Sequence, residues 1–492
     1  MSRFDSVVLG GRLVLPGTGV VPAGIGIRDG VIAAISQDLT AADGEEVIDA
    51  GGKVVFPGAV DAHYHLGIYR SFEADARSET RSSLVGGATT VLSYFRTGQH
   101  YLERTGPYRE LLPLVIGMVE PNAYTDFGFH VAPMDARHIG EIEWLVNEAG
   151  VASFKYFMFY KGLNLHSNST DVSSFTMSDK YDFGHLLAVM EEIARVDATT
   201  GSRISLSLHC ENAELIKHFI AKLEGRDVPP LRAYHEGRPP LSERLSIHEA
   251  GVLASATNVR LNLLHLSSAE ALRAAREVRS LYPQLDIRRE TTLHHLCLNH
   301  DDLDARPNPV GGKVNPPIRT TADNEALWEA VAAGDISWVA SDHACCLEEH
   351  KGEDVWKAYA GFGGTALLYP VMISEGHHRR GLSLEKIADL VSGAPARAYN
   401  VAPRKGAIAL GADADLAIVD LDLERVVTPE ILLSDQEYTP FAGLTVKGWP
   451  TTTVLRGKVV FRDGEVLGEP GGAFGPRSGQ RAAATSGAGE AA

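Results

Sequence analysis

The chain has 492 residues, of which 44% are hydrophobic and 22% are charged, so it is long enough for one large globular domain and a smaller one. The formal net charge of −17 argues against nucleic acid or an anionic membrane as the partner, because either would attract a basic surface. No apolar run is long enough for a transmembrane helix, and the N-terminus lacks the layout of a signal peptide. We therefore predict a cytoplasmic protein that acts on a small molecule.

The two ends of the chain share one pattern. Residues 1–55 alternate short apolar runs with Gly and Asp turns, which predicts short β-strands, and the same pattern returns in residues 401–467. We predict one small β-sandwich built from both of these pieces. Residues 468–492 are poor in bulky apolar side chains, which predicts a disordered tail.

Residues 56–400 alternate short apolar runs with helical stretches, a pattern typical of repeated βα units. Eight such units predict an α/β fold, a (β/α)₈ TIM barrel. The eight predicted strands cover residues 54–62, 88–94, 112–119, 151–157, 203–208, 259–264, 285–291 and 336–341.

Metal-ligating side chains recur where these predicted strands end, which is where the catalytic residues of such barrels lie. His63 and His65 share a face of the first strand, because residues i and i+2 of a strand point the same way. Four further candidates are Lys155, His209, His265 and Asp342, in or after strands four, five, six and eight. A single one of them would more often be structural, but their convergence on one rim predicts a metal site.

At this point the chain resembles the cyclic amidohydrolases of the hydantoinase and dihydropyrimidinase type, within the amidohydrolase superfamily. The resemblance runs from about residue 4 to residue 466 and rests on motifs that occur in order. These motifs are PGAVDAHYH, SFKYFMFYKG, HCENAELI, HLSSAEAL, ETTLHHL, KVNPPIR, SDHA, GADADLAIVD and VLRGKVVFRDGE.

The resemblance implies a hydrolase with two divalent metal ions, zinc in the first place and manganese as the alternative. One ion would be held by His63, His65 and Asp342, the other by His209 and His265, and Lys155, carboxylated on its amine, would bridge them. It also implies a homo-oligomer, namely a tetramer.

The same resemblance implies roles in the reaction. A hydroxide shared by the metals would attack a ring carbonyl. Tyr160 would donate a hydrogen bond to the oxygen that gains negative charge, and Asp342 would carry a proton to the leaving ring nitrogen. Asn315 stands where hydantoinases generally have serine, in a loop that contacts substrate, and asparagine there looks more like dihydroorotase.

The substrate is expected to be a hydantoin, a dihydropyrimidine or a related cyclic imide. Dihydroorotase and allantoinase remain alternative activities, and a non-catalytic assembly protein that keeps the barrel is a further alternative. Gly67 stands where dihydroorotases have an arginine for the substrate carboxylate, so dihydroorotate is predicted to be a poor substrate. Arg96 is a candidate contact for a polar or anionic substituent of the substrate. Residues 162–182 are predicted to form a lid that helps to determine which substrate is accepted.

Overall fold

The computed structural model describes residues 2–160 and 181–477. Its N-terminal strands are β1 (Phe4–Leu9), β2 (Arg12–Leu15), β3 (Gly19–Pro22), β4 (Gly24–Arg28), β5 (Val31–Ser36), β6 (Gly44–Asp49) and β7 (Val54–Pro57). The central strands are β8 (Ala59–Tyr64), β9 (Ala88–Phe95), β10 (Asp126–Val131), β11 (Ser153–Phe157), β12 (Ser205–His209), β13 (Arg260–Leu263), β14 (Ile287–Thr292) and β15 (Trp338–Ala340). The C-terminal strands are β16 (Leu416–Val426), β17 (Thr445–Leu455), β18 (Lys458–Arg462) and β19 (Glu465–Val466).

The central strands form one parallel sheet in the order in which they occur along the chain, from β8 to β15. The sheet closes on itself, because Tyr64 at the end of β8 bridges His343 beyond β15 and the backbone N–H of His65 donates to the carbonyl of His343 at 2.8 Å. Strands β8 to β12 are buried along their whole length, as expected for a parallel sheet covered by helices. The predicted (β/α)₈ barrel is confirmed.

The chain ends form two further sheets. One has the order β5-β4-β1-β6, and the other has the order β19-β18-β17-β16-β7-β2-β3, in which Phe56 of β7 lies opposite Ala417 of β16. Val8 and Ile25 from the first sheet share a hydrophobic cluster with Leu416 from the second. Strands from both termini therefore make one sandwich, as the sequence predicts, while its limits at residues 55, 401 and 467 stay predictions.

The helices that follow the strands begin at polar caps in several places. After β12, the Asn212 side chain accepts from the backbone N–H groups of Glu214 and Leu215, which fixes the start of the next helix. The α-helices are α1 (Phe72–Val85), α2 (Tyr108–Val119), α3 (Ala136–Gly140), α4 (Ile142–Asn147), α5 (Phe183–Thr200), α6 (Ala213–Ala221), α7 (Pro230–Gly237), α8 (Pro240–Thr257), α9 (Ala269–Leu281), α10 (Leu293–Cys297), α11 (His300–Asp304), α12 (Thr321–Ala333), α13 (Glu348–Lys351), α14 (Leu368–Val371), α15 (Leu384–Ala388) and α16 (Ala394–Ala398). Within the two described ranges, none of the helices has the length and apolar character that crossing a bilayer requires.

The predicted third strand, residues 112–119, is wrong. Those residues belong to α2, whose buried Leu111, Leu112, Val115 and Val119 follow a helical spacing and form one face. The third barrel strand is β10, in which Phe127, Phe129 and Val131 alternate with polar or small residues, so it lacks the continuous apolar run on which the predicted strand rested.

The predicted first strand, residues 54–62, is in fact two strands. Gly58 separates β7, which belongs to the sandwich, from β8, which belongs to the barrel. A Cβ on Gly58 would lie 2.2 Å from Oγ1 of Thr89, so the chain can change sheets here only without a side chain. One continuous apolar stretch of sequence thus supplies a strand to the sandwich and a strand to the barrel.

The predicted disorder from Gly468 onward is wrong for residues 472–477. Phe127 N donates to Ala473 O at 3.0 Å, Gly475 N donates to Phe127 O at 2.8 Å, and Arg477 is buried. A Cβ on Gly472 would lie 1.9 Å from the carbonyl oxygen of Thr125, so this glycine permits close backbone approach. Residues 478–492 lie outside the described residues. The lid predicted at 162–182 also lies outside them, except for its last two positions, Tyr181 and Asp182.

Candidate metal centre

Three of the predicted ligands meet at the closure of the barrel. Nε2 of His63 lies 3.0 Å from Oδ1 of Asp342, and Nε2 of His65 lies 3.2 Å from the same oxygen. One ligand atom from each of the three residues lies within 4.8 Å of the others, which is close enough for a shared metal ion. Although burial opposes it, the charge of His63 holds the pKa of Asp342 well below its usual range, so the carboxyl stays ionised.

His63 is held from behind by Glu290 of β14. Its Nδ1 lies 2.6 Å from Oε1 of Glu290, and the other oxygen of that carboxylate accepts from Nε1 of Trp338 at 2.7 Å. Burial alone would lower the pKa of His63, but Asp342 and Glu290 outweigh it and raise the pKa to about 9. This contact turns Nε2 toward the site, as carboxylates behind metal-bound histidines do.

His209, His265 and Lys155 lie beside this group. The ring centroids of His209 and His265 are 4.2 Å apart, and those of His63 and His265 are 5.3 Å apart. The buried Nζ of Lys155 lies 4.4 Å from the centre of the Tyr94 ring, and burial lowers its pKa to about 7. The structure therefore brings all six predicted ligands into one cluster.

The buried atoms of this second group fit a bound ion. Within residues 2–160 and 181–477, neither ring nitrogen of His265 nor Nζ of Lys155 has a hydrogen-bond partner. Buried polar atoms are seldom left without a partner, because that costs free energy. Imidazole nitrogens and carboxylate oxygens are suitable donors for zinc or manganese, so the residues present fit the metals implied above.

His209 has its own carboxylate partner. Its Nε2 lies 2.6 Å from Oε2 of Glu211, and Arg238 pairs with that glutamate, with Nε 3.0 Å from Oε1. The sequence analysis assigned no role to Glu211 or Glu290. The sequence does contain a signal for both glutamates. Glu211 lies two residues after the end of β12, in the motif HCEN, and Glu290 lies near the end of β14, in the motif ETTLHHL.

Two of the clustered residues have a positive φ angle. His265 has φ of 34° and Asp342 has φ of 52°, in the left-handed region that side chains other than Gly, Asn and Asp rarely adopt. For His265 in particular, the surrounding structure must maintain this conformation, which is typical of functional sites. Each residue lies two positions beyond the end of its barrel strand, where the chain turns at the rim of the barrel.

A cavity of about 530 Å³ that is open to solvent lies over the cluster. Its walls include Phe157, Phe159 and Tyr69, which make the cavity largely apolar above the polar floor. The six predicted ligands and the predicted substrate contacts Tyr160 and Asn315 all line it. A small ring with polar atoms on one edge suits this combination of an aromatic wall and a polar floor.

Comparison with known proteins identifies the family. The amidohydrolase family matches residues 54–460. The chain belongs to this family. An allantoinase from Rubrobacter xylanophilus is 33% identical over 96% of this chain and 98% of its own length, and a D-hydantoinase from Rhizobium radiobacter is 31% identical over 95% and 97%. A crystal structure of a D-hydantoinase superposes with a TM-score of 0.85 at 27% identity, covering 96% of this chain and 99% of that one.

In this amidohydrolase, two predicted substrate contacts have further partners. Oδ1 of Asn315 accepts from the hydroxyl of Tyr234 at 2.5 Å. Arg96 is not among the described residues that line the cavity, and its Nε donates instead to the hydroxyl oxygen of Tyr160 at 3.0 Å. The predicted contact between Arg96 and substrate therefore stays a prediction, whereas its contact with Tyr160 is direct.

Proposed function

We propose that this amidohydrolase opens a cyclic amide ring by adding water across a carbon–nitrogen bond, with two divalent metal ions in its site. The observation that carries the proposal is the cluster of six ligand-type side chains at the floor of one cavity. The names of its relatives, hydantoinase and allantoinase, support the same class of reaction.

Zinc is the metal we propose, with manganese as the alternative. His63, His65 and Asp342 would hold one ion, His209 and His265 the other, and Lys155 in its carboxylated form would bridge them. When bound, such ions supply a nucleophilic hydroxide near neutral pH and polarise a carbonyl group. Glu290 and Glu211 would keep the rings of His63 and His209 in place for this task.

The remaining side chains act on the substrate itself. The hydroxyl group of Tyr160 donates to the ring carbonyl oxygen as that oxygen gains negative charge. The carboxylate of Asp342 takes the proton released by the attacking water and gives it to the leaving ring nitrogen, which is a poor leaving group without it. Asn315 accepts from Tyr234 through Oδ1, and its Nδ2 group would donate to a second ring carbonyl.

We propose a hydantoin, a dihydropyrimidine or a related cyclic imide as the ring. Gly67 offers no guanidinium for a substrate carboxylate, which argues against dihydroorotate. Allantoin is the second candidate, because the relative that is 33% identical is an allantoinase. A homotetramer is proposed from the family resemblance alone, and light scattering of the purified protein would test it. The cytoplasmic location stays a prediction from the sequence.

The test is a panel assay with the metal-loaded protein. Its substrates are hydantoin, 5-substituted hydantoins, dihydrouracil, cyclic imides, allantoin and dihydroorotate. We expect ring opening of an uncharged cyclic amide, abolished in His63→Ala together with loss of bound metal. His248→Ala, which removes a half-buried histidine paired with Glu277, should leave both unchanged. Preference for dihydroorotate would overturn the ring assignment, whereas preference for allantoin, which is itself an uncharged substituted hydantoin, would select the second candidate. Normal metal content and activity in His63→Ala would overturn the site.

A further inference from the structure

Arg96 is a buried arginine without an acidic partner in the part of the chain that the structure describes. Its side chain is 4% exposed, and none of the carboxylates in residues 2–160 and 181–477 forms an ion pair with it. Its hydrogen bonds go to neutral oxygens: Nε donates to the hydroxyl of Tyr160 at 3.0 Å, and Nη1 donates to the carbonyl of Thr97 at 3.2 Å. A buried cation without a counter-charge destabilises the folded protein, so a functional role is needed to explain why an arginine stands here.

The guanidinium of Arg96 lies between two tyrosines of the site. Its Cζ is 5.4 Å from the centre of the Tyr160 ring and 5.5 Å from that of Tyr101, whose hydroxyl lies 3.0 Å from Nδ1 of His65. Burial raises the pKa of Tyr160 to about 12, and Arg96 acts against that rise. The phenol therefore stays protonated, and the cation makes it a better hydrogen-bond donor than burial alone would allow.

We propose that Arg96 is a positioning residue that acts through Tyr160, fixing the phenol by the bond from Nε and strengthening it as a donor to the anionic oxygen that forms on the substrate. This inference rests on the proposed function, in which Tyr160 stabilises that oxygen. The negative charge of the transition state is then the counter-charge that Arg96 lacks in the free enzyme. The attraction between Arg96 and the negative charge that develops during the reaction offsets the free-energy cost of burying the cation, as in other preorganised sites.

This role predicts a particular kinetic signature. The carbonyl oxygen carries its full negative charge only near the transition state, so loss of Arg96 should lower kcat and leave KM nearly unchanged. An arginine that contacts a substituent of the substrate behaves differently. Its loss would raise KM, and the increase would depend on the charge of the substituent.

A double-mutant cycle tests whether Arg96 acts through Tyr160. The variants are Arg96→Met, Tyr160→Phe and the double variant, assayed on the best substrate of the panel. We expect Tyr160→Phe to lower kcat about 100-fold and Arg96→Met about tenfold or more, with the double variant no slower than Tyr160→Phe. The control is Arg380→Met, which removes an arginine paired with Glu325 and Glu375 and should not change kcat in either background.

The outcomes separate this inference from the proposed function. Independent, multiplicative losses in the double variant, or a loss confined to KM, would overturn the role of Arg96 while leaving the function intact. A wild-type protein inert on the whole panel, or an unchanged kcat in Tyr160→Phe, would overturn both. Arg96→Lys keeps the charge and should retain more kcat than Arg96→Met, so equal losses would also count against the inference. If Arg96→Met does not fold, Arg96→Lys takes its place in the cycle.

Discussion

Glu290 and His63 form a short contact at the centre of the site, with Oε1 of the carboxylate 2.6 Å from Nδ1 of the ring. The two residues come from strands that lie on either side of β15 in the closed barrel, and Trp338 of β15 holds the second oxygen of the glutamate. Three strands that are distant in sequence thus determine how one imidazole is oriented. The ring cannot rotate away from Asp342 without breaking this contact.

The first prediction follows from that contact. In Glu290→Gln the negative charge is lost and the amide can also donate, so the tautomer of His63 is no longer fixed. We expect metal affinity to fall about 10- to 100-fold, measured by competition with a chromophoric chelator. Glu270→Gln, which alters a glutamate on the outer helix α9, serves as the control. Unchanged affinity in Glu290→Gln would show that the carboxylate does not support the metal site.

The second prediction concerns Lys155. Lys155→Ala should lose bound metal, measured by mass spectrometry of the desalted protein, because the bridging group is gone. A short-chain carboxylic acid in the buffer should restore part of the metal and of the activity by occupying the space of the missing carbamate. Lys155→Arg should fail, since a guanidinium stays charged and cannot be carboxylated in this way. Full metal content in Lys155→Arg would exclude the bridging role, and the surface variant Lys222→Ala provides the baseline.

The ligands could be predicted because the barrel places the end of every strand at one rim. His63, His209 and Asp342 each follow a short apolar run, and that local pattern suffices once eight βα units are recognised. The partners behind them could not be predicted in this way. Glu290 of β14 reaches His63 of β8 past the intervening β15, over 227 positions of sequence, and no local pattern indicates such a pairing.

The errors in the predicted elements also have physical causes. Helix α2 contains Pro113 and the apolar run LLPLVIGMV, which resembles a buried strand because its apolar positions are nearly continuous. Strand β10 does alternate Phe127, Phe129 and Val131 with polar or small residues, but this six-residue pattern is less conspicuous than the longer apolar run of α2. In α2, tertiary packing outweighs local propensity.

The third prediction uses the buried Asp75 of α1. Burial, together with the nearby Glu79, raises the pKa of Asp75 to about 8, whereas an unfolded aspartate has a pKa of about 3.9. Between these two values the folded state holds a proton that the unfolded state has lost, so the stability contributed by this group falls as pH rises from about 4 to about 8. Asp75→Asn cannot ionise and should lack this loss.

The measurement is the free energy of unfolding of wild type and Asp75→Asn from denaturant titrations at several pH values. The difference should move in favour of the variant as pH rises through that window. Asp435→Asn, which changes a largely exposed carboxylate that is also paired with Arg70, serves as the comparison variant. A constant difference for Asp75→Asn would contradict the raised pKa.

The fourth prediction concerns a buried ionic cluster that joins the barrel to the sandwich. Nζ of Lys405 lies 2.6 Å from a carboxylate oxygen of Asp126 in β10, 2.6 Å from one of Asp415 and 2.9 Å from one of Asp413. Lys405→Met would leave these buried carboxylates without the lysine, and removing one partner of a buried pair costs about 3–5 kcal/mol. Lys357→Met, on the surface, should cost about 1 kcal/mol or less. Equal losses in the two variants, measured by urea denaturation, would contradict a special role for this cluster.

The last prediction concerns the segment that the sequence suggested was disordered. Arg477 donates to the side chain of Ser153 at 2.8 Å and to the carbonyl of Phe129, and its own N–H donates to Gly150 O at 2.8 Å. Removing residues 470–492 would break these bonds and those of residues 472–475. At about 1 kcal/mol for each net hydrogen bond, we expect a loss of about 3 kcal/mol or more in the free energy of unfolding.

Two matched variants show where this stability originates. Removing only residues 478–492 keeps the contacts of residues 472–477, so this variant should retain the stability that those contacts provide. Arg477→Met keeps the backbone bonds and removes the guanidinium, so it should lie between wild type and the longer truncation. If both truncations unfold at the same denaturant concentration as wild type, the segment packs on the barrel without stabilising it. If the shorter truncation alone accounts for the whole loss, the stabilising contacts lie beyond Arg477.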